Sequence, residues 1–365
     1  MFPAEKNIAV ILPAYNEETT IGEVICAFHE QLPGAGIFVI NNNSSDRTSE
    51  IAIATFNLLG CRGYVINEPL QGKGNALRRA FKEIDADIYV LSDADQTYPA
   101  ECVREMIVPV LEDRADMVVG DRHTYGVYSR ENKRSLHVFG NALVLWLVNF
   151  LFGARLTDIM SGYRVFNRRF IKNYPILVRG FEIETDMTLH SLHRRFRILE
   201  IPVEYRDRPL GSYSKLKTFS DGAKVIFTIA QILRYYRPLF FFLCAAMFFA
   251  IAGFITGIPV FQDWIRFHYI YHVPLAILAS SLEIVAVLFS GVGLILDSVA
   301  HKERMSYELH LLSEDRFFHL EQIINNTYLH RRTERVVAAN FGIFESMDGL
   351  DSARGSTPFQ DSKEC

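Results

Sequence analysis

The sequence predicts an α/β domain built on a mainly parallel, doubly wound sheet, followed by an amphipathic helix and a hairpin of two long apolar helices. Three observations predict it. Over residues 7–120, short apolar runs alternate with amphipathic stretches, the pattern of consecutive β-α units. Three of those apolar runs end in polar clusters, on the edge where ligands of such sheets bind. Two later stretches exceed the roughly 20 apolar residues that cross a bilayer: Pro238–Gln262 carries no charge, and Val273–Leu296 carries Glu283 alone.

Each element has its own signal. "NIAVILPA" reads as a first strand, and "EETTIGEVICAFHEQL" as a helix that "PGAG" breaks. "IFVINN" is the second strand, and "SSDRTSEIAIATFNLLG" the next helix, with Ser or Asp as N-cap. "GYVIN", "GKGNALRRAFKEI" and "DIYVLSD" continue as strand, helix and strand. Residues 121–215 are less regular and rich in Arg, Gly and aromatics. In 220–238, Val225, Ile226, Ile229, Ile232 and Leu233 take one helical side, with Lys224, Arg234 and Arg237 on the polar side. Such a helix is expected to lie along a membrane surface with its apolar face toward lipid. The expected divisions are a sheet domain at 1–218, the amphipathic helix at 219–237 and the hairpin at 238–299, with spans at about 238–260 and 274–297. A charged helical tail at 300–342 and a polar, disordered end at 343–365 complete the chain.

Composition narrows the function. A chain of 365 residues holds one large domain or two ordinary ones. A net charge of -4, without a basic run, argues against a nucleic-acid partner. The five cysteines show neither C-x-x-C pairing nor zinc spacing and read as reduced or core-filling. "MFPAEKNIAVILPAYNEE" lacks the apolar core of a signal peptide. Lys224, Arg234 and Arg237 precede the hairpin, Lys302 and Arg304 follow it, and the linker "DWIRFHYIYH" offers Arg266. That asymmetry assigns the sheet domain and the tail to the cytoplasm.

The sharpest motif is "LSDADQTYPA" at 91–100. Asp93 and Asp95 are two apart, so a strand leaving its sheet can aim both into one crevice. Such a pair either caps a turn or, with substrate phosphate oxygens, holds a hard divalent cation. Lys73 follows Gly72 at a predicted helix start, a place that favours phosphate; the alternative is a solvated loop lysine. The eleven histidines show no H-x-x-x-H or H-E-x-x-H arrangement at these clusters. Glu283, inside the second span, is costly to bury as a charge and reads as protonated or bonded across a helix interface.

Taken in order, the motifs resemble family 2 glycosyltransferases with the Rossmann-like GT-A fold. Within them the likeness is to the dolichol-phosphate mannose synthase and polyprenyl-phosphate glycosyltransferase branch with two C-terminal transmembrane helices. "PAYNEE", "NNNSSDRT", "DADQTYP", "DIMSGYRVF" and "YRDRPLGSYSKL" carry the resemblance across residues 7–217. It implies transfer of a sugar from a nucleoside-diphosphate sugar to a polyprenyl phosphate. Nucleotide-sugar binding would fall to Pro13, Ala14, Tyr15, Glu17, Asn41, Asn43, Asp46, Lys73, Asp93, Ala94, Asp95, Gln96 and Lys215. Mg²⁺ or Mn²⁺ would sit on Asp95 with Asp93, and Asp93, Asp95, Asp158 and Asp186 form the catalytic set. Arg122, Arg164 and Arg208 would take the acceptor phosphate, since a guanidinium fork suits phosphate. Arg164 has an alternative as a partner of Asp158 or Glu182, and Asp186 as a paired helix carboxylate. The family commonly has Asp where this chain has Asn41, whose amide accepts a hydrogen bond but carries no charge. The resemblance also implies a bilayer location at the cytoplasmic membrane and allows a homo-oligomer, related two-helix members being tetramers. Two other readings stand beside it. One is a processive or lipid-hydroxyl-directed synthase, for which Gln231, Arg234 and Tyr235 nearly match Q-x-x-R-W. The other is a non-catalytic membrane scaffold, against which both Asp93 and Asp95 are present.

Overall fold

The computed structural model describes residues 6–123, 135–178, 182–206 and 230–340. Arg208, Lys215, Lys224, Val225, Ile226 and Ile229 lie outside the described residues. The chain forms two compact units, Met1–Ala300 and His301–Cys365.

Seven strands form one sheet: β1 (Ile8–Ala14), β2 (Gly36–Asn41), β3 (Gly63–Asn67), β4 (Ile88–Leu91), β5 (Met117–Asp121), β6 (Arg164–Asn167) and β7 (Ile198–Pro202). Their order is β3-β2-β1-β4-β6-β5-β7. Pairs β1–β2, β2–β3, β1–β4 and β5–β7 are parallel. Strand β6 runs antiparallel to both β4 and β5. Val10, Ile11 and Leu12 have no exposure at all, as expected of a strand covered on both faces.

Helix α1 (Ile21–Gln31) buries Ile21, Val24, Ile25 and Phe28, the i, i+3, i+4, i+7 stripe of a helix packed on a sheet. Helix α2 (Thr48–Leu59) stops at Gly60, whose φ of 61° is the left-handed cap that glycine adopts without strain. Helix α3 (Lys73–Glu83) buries Ala76, Leu77, Ala80 and Phe81, and α4 (Val103–Leu111) buries Val103, Met106, Ile107 and Val110. Then come α5 (Ser135–Phe152), α6 (Arg168–Asn173) and α7 (Ile183–His193). The chain order changes direction between β1 and β4, so the crevice opens at their carboxyl ends. Because β6 is reversed, it begins where β4 and β5 end, adding Ser161–Arg164 to that same edge.

Helices α8 (Pro238–Phe267) and α9 (Val273–Asn340) include two segments long and apolar enough to cross a membrane. Phe240, Phe248, Phe254, Ile284 and Leu288 all point outward from the pair. Their seam combines small residues, which let apolar helices approach closely, with Phe242 and Phe249 packed on Phe289. Ala246, Gly253 and Gly257 are buried on α8; a methyl on Gly257 would touch Ala279 at 3.8 Å, and one on Gly253 would meet Glu283. Asp263 fastens the turn, accepting from the amides of Tyr271 and His272 and lying 2.7 Å from His272 Nδ1.

Ahead of α8, residues 230–236 are helical. Ile232 was expected to face lipid. It is instead buried against Val144, Val148, Ile159 and Leu189 of the sheet domain. Tyr236 packs edge-on against Phe152 and His193, and Arg237 donates to the Leu151 carbonyl at 2.9 Å. An isoleucine that finds an apolar wall in its own domain has the same drive to leave water as one that finds lipid.

Candidate functional site

The carboxyl edge of the sheet is laced together by its loops. After β1, the Asn16 amide donates to Ser44 Oγ, the Asn16 side chain accepts from the Ser45 amide, and the Glu17 amide donates to Thr48 Oγ1. Asp46 accepts from the amides of Glu18 and Thr48. Pro13 and Ala14 pair with Ile40 and Asn41 across the sheet. Tyr15 is half-buried, while Asn43 is exposed. Asn41 uses both ends of its amide: Nδ2 donates to Asn67 and Oδ1 accepts from the Ser44 amide. The second of these bonds a carboxylate could also make; the first it could not. Among the described residues six non-glycines have positive φ, and Asn16, Asn43 and Gln96 put one in each of the loops after β1, β2 and β4. Backbone held in that sparse region clusters at functional sites.

Lys73 is the centre of the site. Gly72 precedes it with φ 131°, and the Gly72 amide donates to Asn42 Oδ1 at 2.7 Å. Asn42, which sequence reasoning passed over, also donates to the Leu70 carbonyl and so pins the start of α3 to the end of β2. Lys73 is 8% exposed, so it is not a solvated loop lysine. Its Nζ lies 2.5 Å from Asp93 Oδ1 and 2.5 Å from Glu184 Oε1. Burial alone would lower its pKa, but the charges of Asp93 and Glu184 outweigh that and raise it, keeping the ammonium charged. The side chain of Glu184 is 6% exposed and that of Asp93 30%, so Asp93 is the member that faces the crevice. Gly162 backs the cluster: a methyl there would come within 2.7 Å of Asp93 Oδ2 and 3.1 Å of Lys73 Nζ.

Asp95 is buried, with Oδ1 accepting from the Thr97 amide and hydroxyl. Thr20 holds the Ala94 carbonyl at 2.7 Å, and Gln96 reaches Glu23. A divalent cation fits this donor set. Asp93 and Asp95 supply hard carboxylate oxygens from one strand end, and two carboxylates plus substrate phosphate oxygens are what Mg²⁺ and Mn²⁺ take. Among the described residues no cluster of three or more His, Cys, Asp or Glu side chains forms.

Across the edge, Arg122 at the end of β5 grips Asp158 with a fork, Nε to Oδ2 at 2.7 Å and Nη2 to Oδ1 at 2.9 Å. Burial would raise the Asp158 pKa, but the Arg122 hydrogen bond and charge outweigh it and hold the carboxyl low. Glu200 accepts from the Thr157 and Asp158 amides and fixes that loop. The Arg122 guanidinium lies 5.7 Å from the centre of the Tyr205 ring. Tyr98, packed against Tyr205 and accepting the Gly162 amide, joins this half of the site to the Lys73 half.

Two expected site residues point elsewhere. Arg164 has no exposure; it donates to the carbonyls of Ser161 and Ile159 and to Thr188 Oγ1. It is a strut inside the fold, and its guanidinium is used up bracing the loop before β6. Asp186 accepts from the Tyr174 hydroxyl at 2.6 Å and, mainly through burial, has a raised pKa. Residues two apart on a helix face nearly opposite ways, so α7 turns Glu184 to the crevice and Asp186 away from it. The E-x-D in "FEIETDM" held the signal for Glu184; its choice between the two rests on how α7 is rotated.

The sheet order, with two aspartates and a lysine on its carboxyl edge, defines a GT-A-type sugar-transfer enzyme. A family model described as glycosyl transferase family 2 matches residues 9–174. The chain is 30% identical over 226 residues to the dolichyl-phosphate hexose transferase of Haloferax volcanii, covering 62% of this chain and 93% of that protein. It is 28% identical over 309 residues to glycosyltransferase AglJ of the same archaeon, covering 83% and 97%. To the undecaprenyl-phosphate mannosyltransferase of Micrococcus luteus it is 26% identical over 229 residues, covering 60% and 91%. The chain belongs to glycosyl transferase family 2.

Proposed function

We propose that the protein transfers a sugar from a nucleoside-diphosphate sugar to a polyprenyl phosphate at a membrane surface, with Mg²⁺ or Mn²⁺ on Asp95 and Asp93. The observation that carries the reading is that one compact unit, Met1–Ala300, holds the carboxylate–lysine edge together with helix α8 and the apolar opening of α9. The base of the hairpin is tied to the domain through Ile232 and Arg237. Relatives covered over nine-tenths of their length are named for dolichyl and undecaprenyl phosphate. The basic residues flanking the hairpin favour a cytoplasmic site.

The nucleotide side would be taken by Pro13, Ala14, Tyr15, Glu17, Asn41, Asn43, Asp46, Ala94 and Gln96 around the β1, β2 and β4 loops. A bound divalent ion would neutralise charge building on the departing diphosphate. Lys73 contributes a second charged group to the same crevice, its ammonium favoured by Asp93 and Glu184. Arg122, held in place by the Asp158 carboxylate, is the candidate cation for the acceptor phosphate. A phosphate monoester is largely ionised near neutral pH, so the acceptor needs placing more than deprotonating. Asp158 fits that economy: a carboxylate held ionised by Arg122 is a weak base and a good clamp.

The test is incubation of the purified protein with a panel of nucleotide sugars and undecaprenyl or dolichyl phosphate, with Mn²⁺, followed by lipid extraction. A lipid-linked monosaccharide is expected, abolished by EDTA and by Asp95→Asn. Transfer that persists in excess EDTA refutes the metal; transfer to a growing polymer refutes the acceptor.

A further inference from the structure

Lys73 is shared by two carboxylates of different standing. Asp93 borders the crevice and is a proposed cation ligand; Glu184 is enclosed and comes from α7, a different part of the chain. Two carboxylates share one ammonium, and the charge of the buried Arg164 also acts on Glu184. The second partner has a use once a divalent cation claims Asp93. A buried lysine stripped of its one partner would be left with an uncompensated charge, which is strongly unfavourable. A lysine with a second partner loses nothing of that kind.

We propose that Glu184 is a positioning residue that anchors the Lys73 ammonium when Asp93 turns from it to the cation, so that one lysine serves as Asp93's counter-ion in the empty crevice and as the diphosphate's in the loaded one. The geometry supports a handover in place. Lys73 is the first residue of α3, fixed by the Gly72–Asn42 bond, and both of its ion pairs are already at contact distance. Gly162 leaves no side chain between Asp93 and the lysine. The cation can therefore be admitted by motion of Asp93 alone. Glu184 touches Lys73 and is not assigned to substrate. This inference rests on the proposed metal-dependent transfer and deepens it.

The experiment is Mn²⁺ binding to the full-length protein in detergent micelles, without nucleotide, read from the free-ion signal by electron paramagnetic resonance. Glu184→Gln is expected to weaken Mn²⁺ binding at least about tenfold, because the ion must then strand a buried lysine. Glu184→Asp, which keeps the charge, is expected to recover most of it. The double variant Lys73→Gln with Glu184→Gln is expected to bind Mn²⁺ at least as well as the unchanged protein, since Asp93 then has no competitor, while losing affinity for nucleoside diphosphate. A merely structural Glu184 would not give that reversal, and thermal unfolding checks that each variant folds. If Glu184→Gln folds and binds Mn²⁺ as the unchanged protein does, the anchor role is wrong while the proposed transfer stands. If the unchanged protein neither binds Mn²⁺ nor makes a lipid-linked sugar, both readings fall.

Discussion

Gly162 matters for what it lacks. A methyl there would press on Asp93 and Lys73 together, and misplacing a reacting group by about an ångström costs roughly a hundredfold in rate. Gly162→Ala is therefore expected to fold normally by circular dichroism and to lose about a hundredfold in kcat/KM for sugar transfer; an unchanged kcat/KM would remove Asp93 and Lys73 from the reacting centre. At this scale the sequence told a good deal. The Asp93–Asp95 pair and Lys73 were legible because their spacing and neighbours are local. For Arg164 and Asp186 the geometry matches the alternative reading, a brace for the loop and a paired helix carboxylate, because a motif names a residue but not the direction of its side chain. Both sit beside the crevice in sequence, and both turn into the core, toward Ser161 and Tyr174. Asn42 and Glu184 went unseen for the converse reason: their partners, Gly72 and Lys73, are far away along the chain.

Among elements, β1 to β4 and the helices between them were readable from alternation. Strand β6 was not, since four residues carry no sign of direction; its antiparallel course comes from pairing with β4 and β5. Helix α5 hid in the irregular stretch because "ALVLWLVNFLF" is apolar all round and shows no period. Helix α7 carries a pH dependence. His190 is enclosed by Phe170, Tyr174 and Phe196; burial first, then Arg194 and His193, push its pKa down to about 3. Unfolded, it takes a proton near pH 6.5; folded, it refuses one until about 3. Its contribution is thus full above pH about 6.5 and is lost as pH falls toward 3, at about 1.4 kcal/mol per pH unit. His190→Phe is expected to cut the stability lost between pH 6.5 and 5 by about 2 kcal/mol in urea denaturation; an unaltered slope would assign the acid sensitivity to other groups. In the hairpin, Gly253→Leu would drive a side chain into Glu283 and is expected to cost about 1–3 kcal/mol, read as earlier thermal unfolding in micelles.

For the whole molecule, the pairing of a soluble-type sheet domain with an apolar hairpin makes a statement about sides. With the hairpin crossing twice, a cysteine placed at Arg266 in a cysteine-free background is expected to react with an impermeant maleimide on intact cells. One placed at the exposed Leu58 is expected to react after lysis. The opposite pattern would invert the proposed orientation. One more consequence follows from the Lys73 triplet, whose outward member is Asp93. To an arriving lipid phosphate the bare crevice shows a carboxylate, and like charges brought together are penalised. The metal-bound nucleotide sugar covers that carboxylate. Turnover should then follow a compulsory order, donor first and lipid second, with the nucleoside diphosphate leaving last. In initial-rate measurements the released nucleoside diphosphate would compete with the donor at every lipid concentration and never with the lipid.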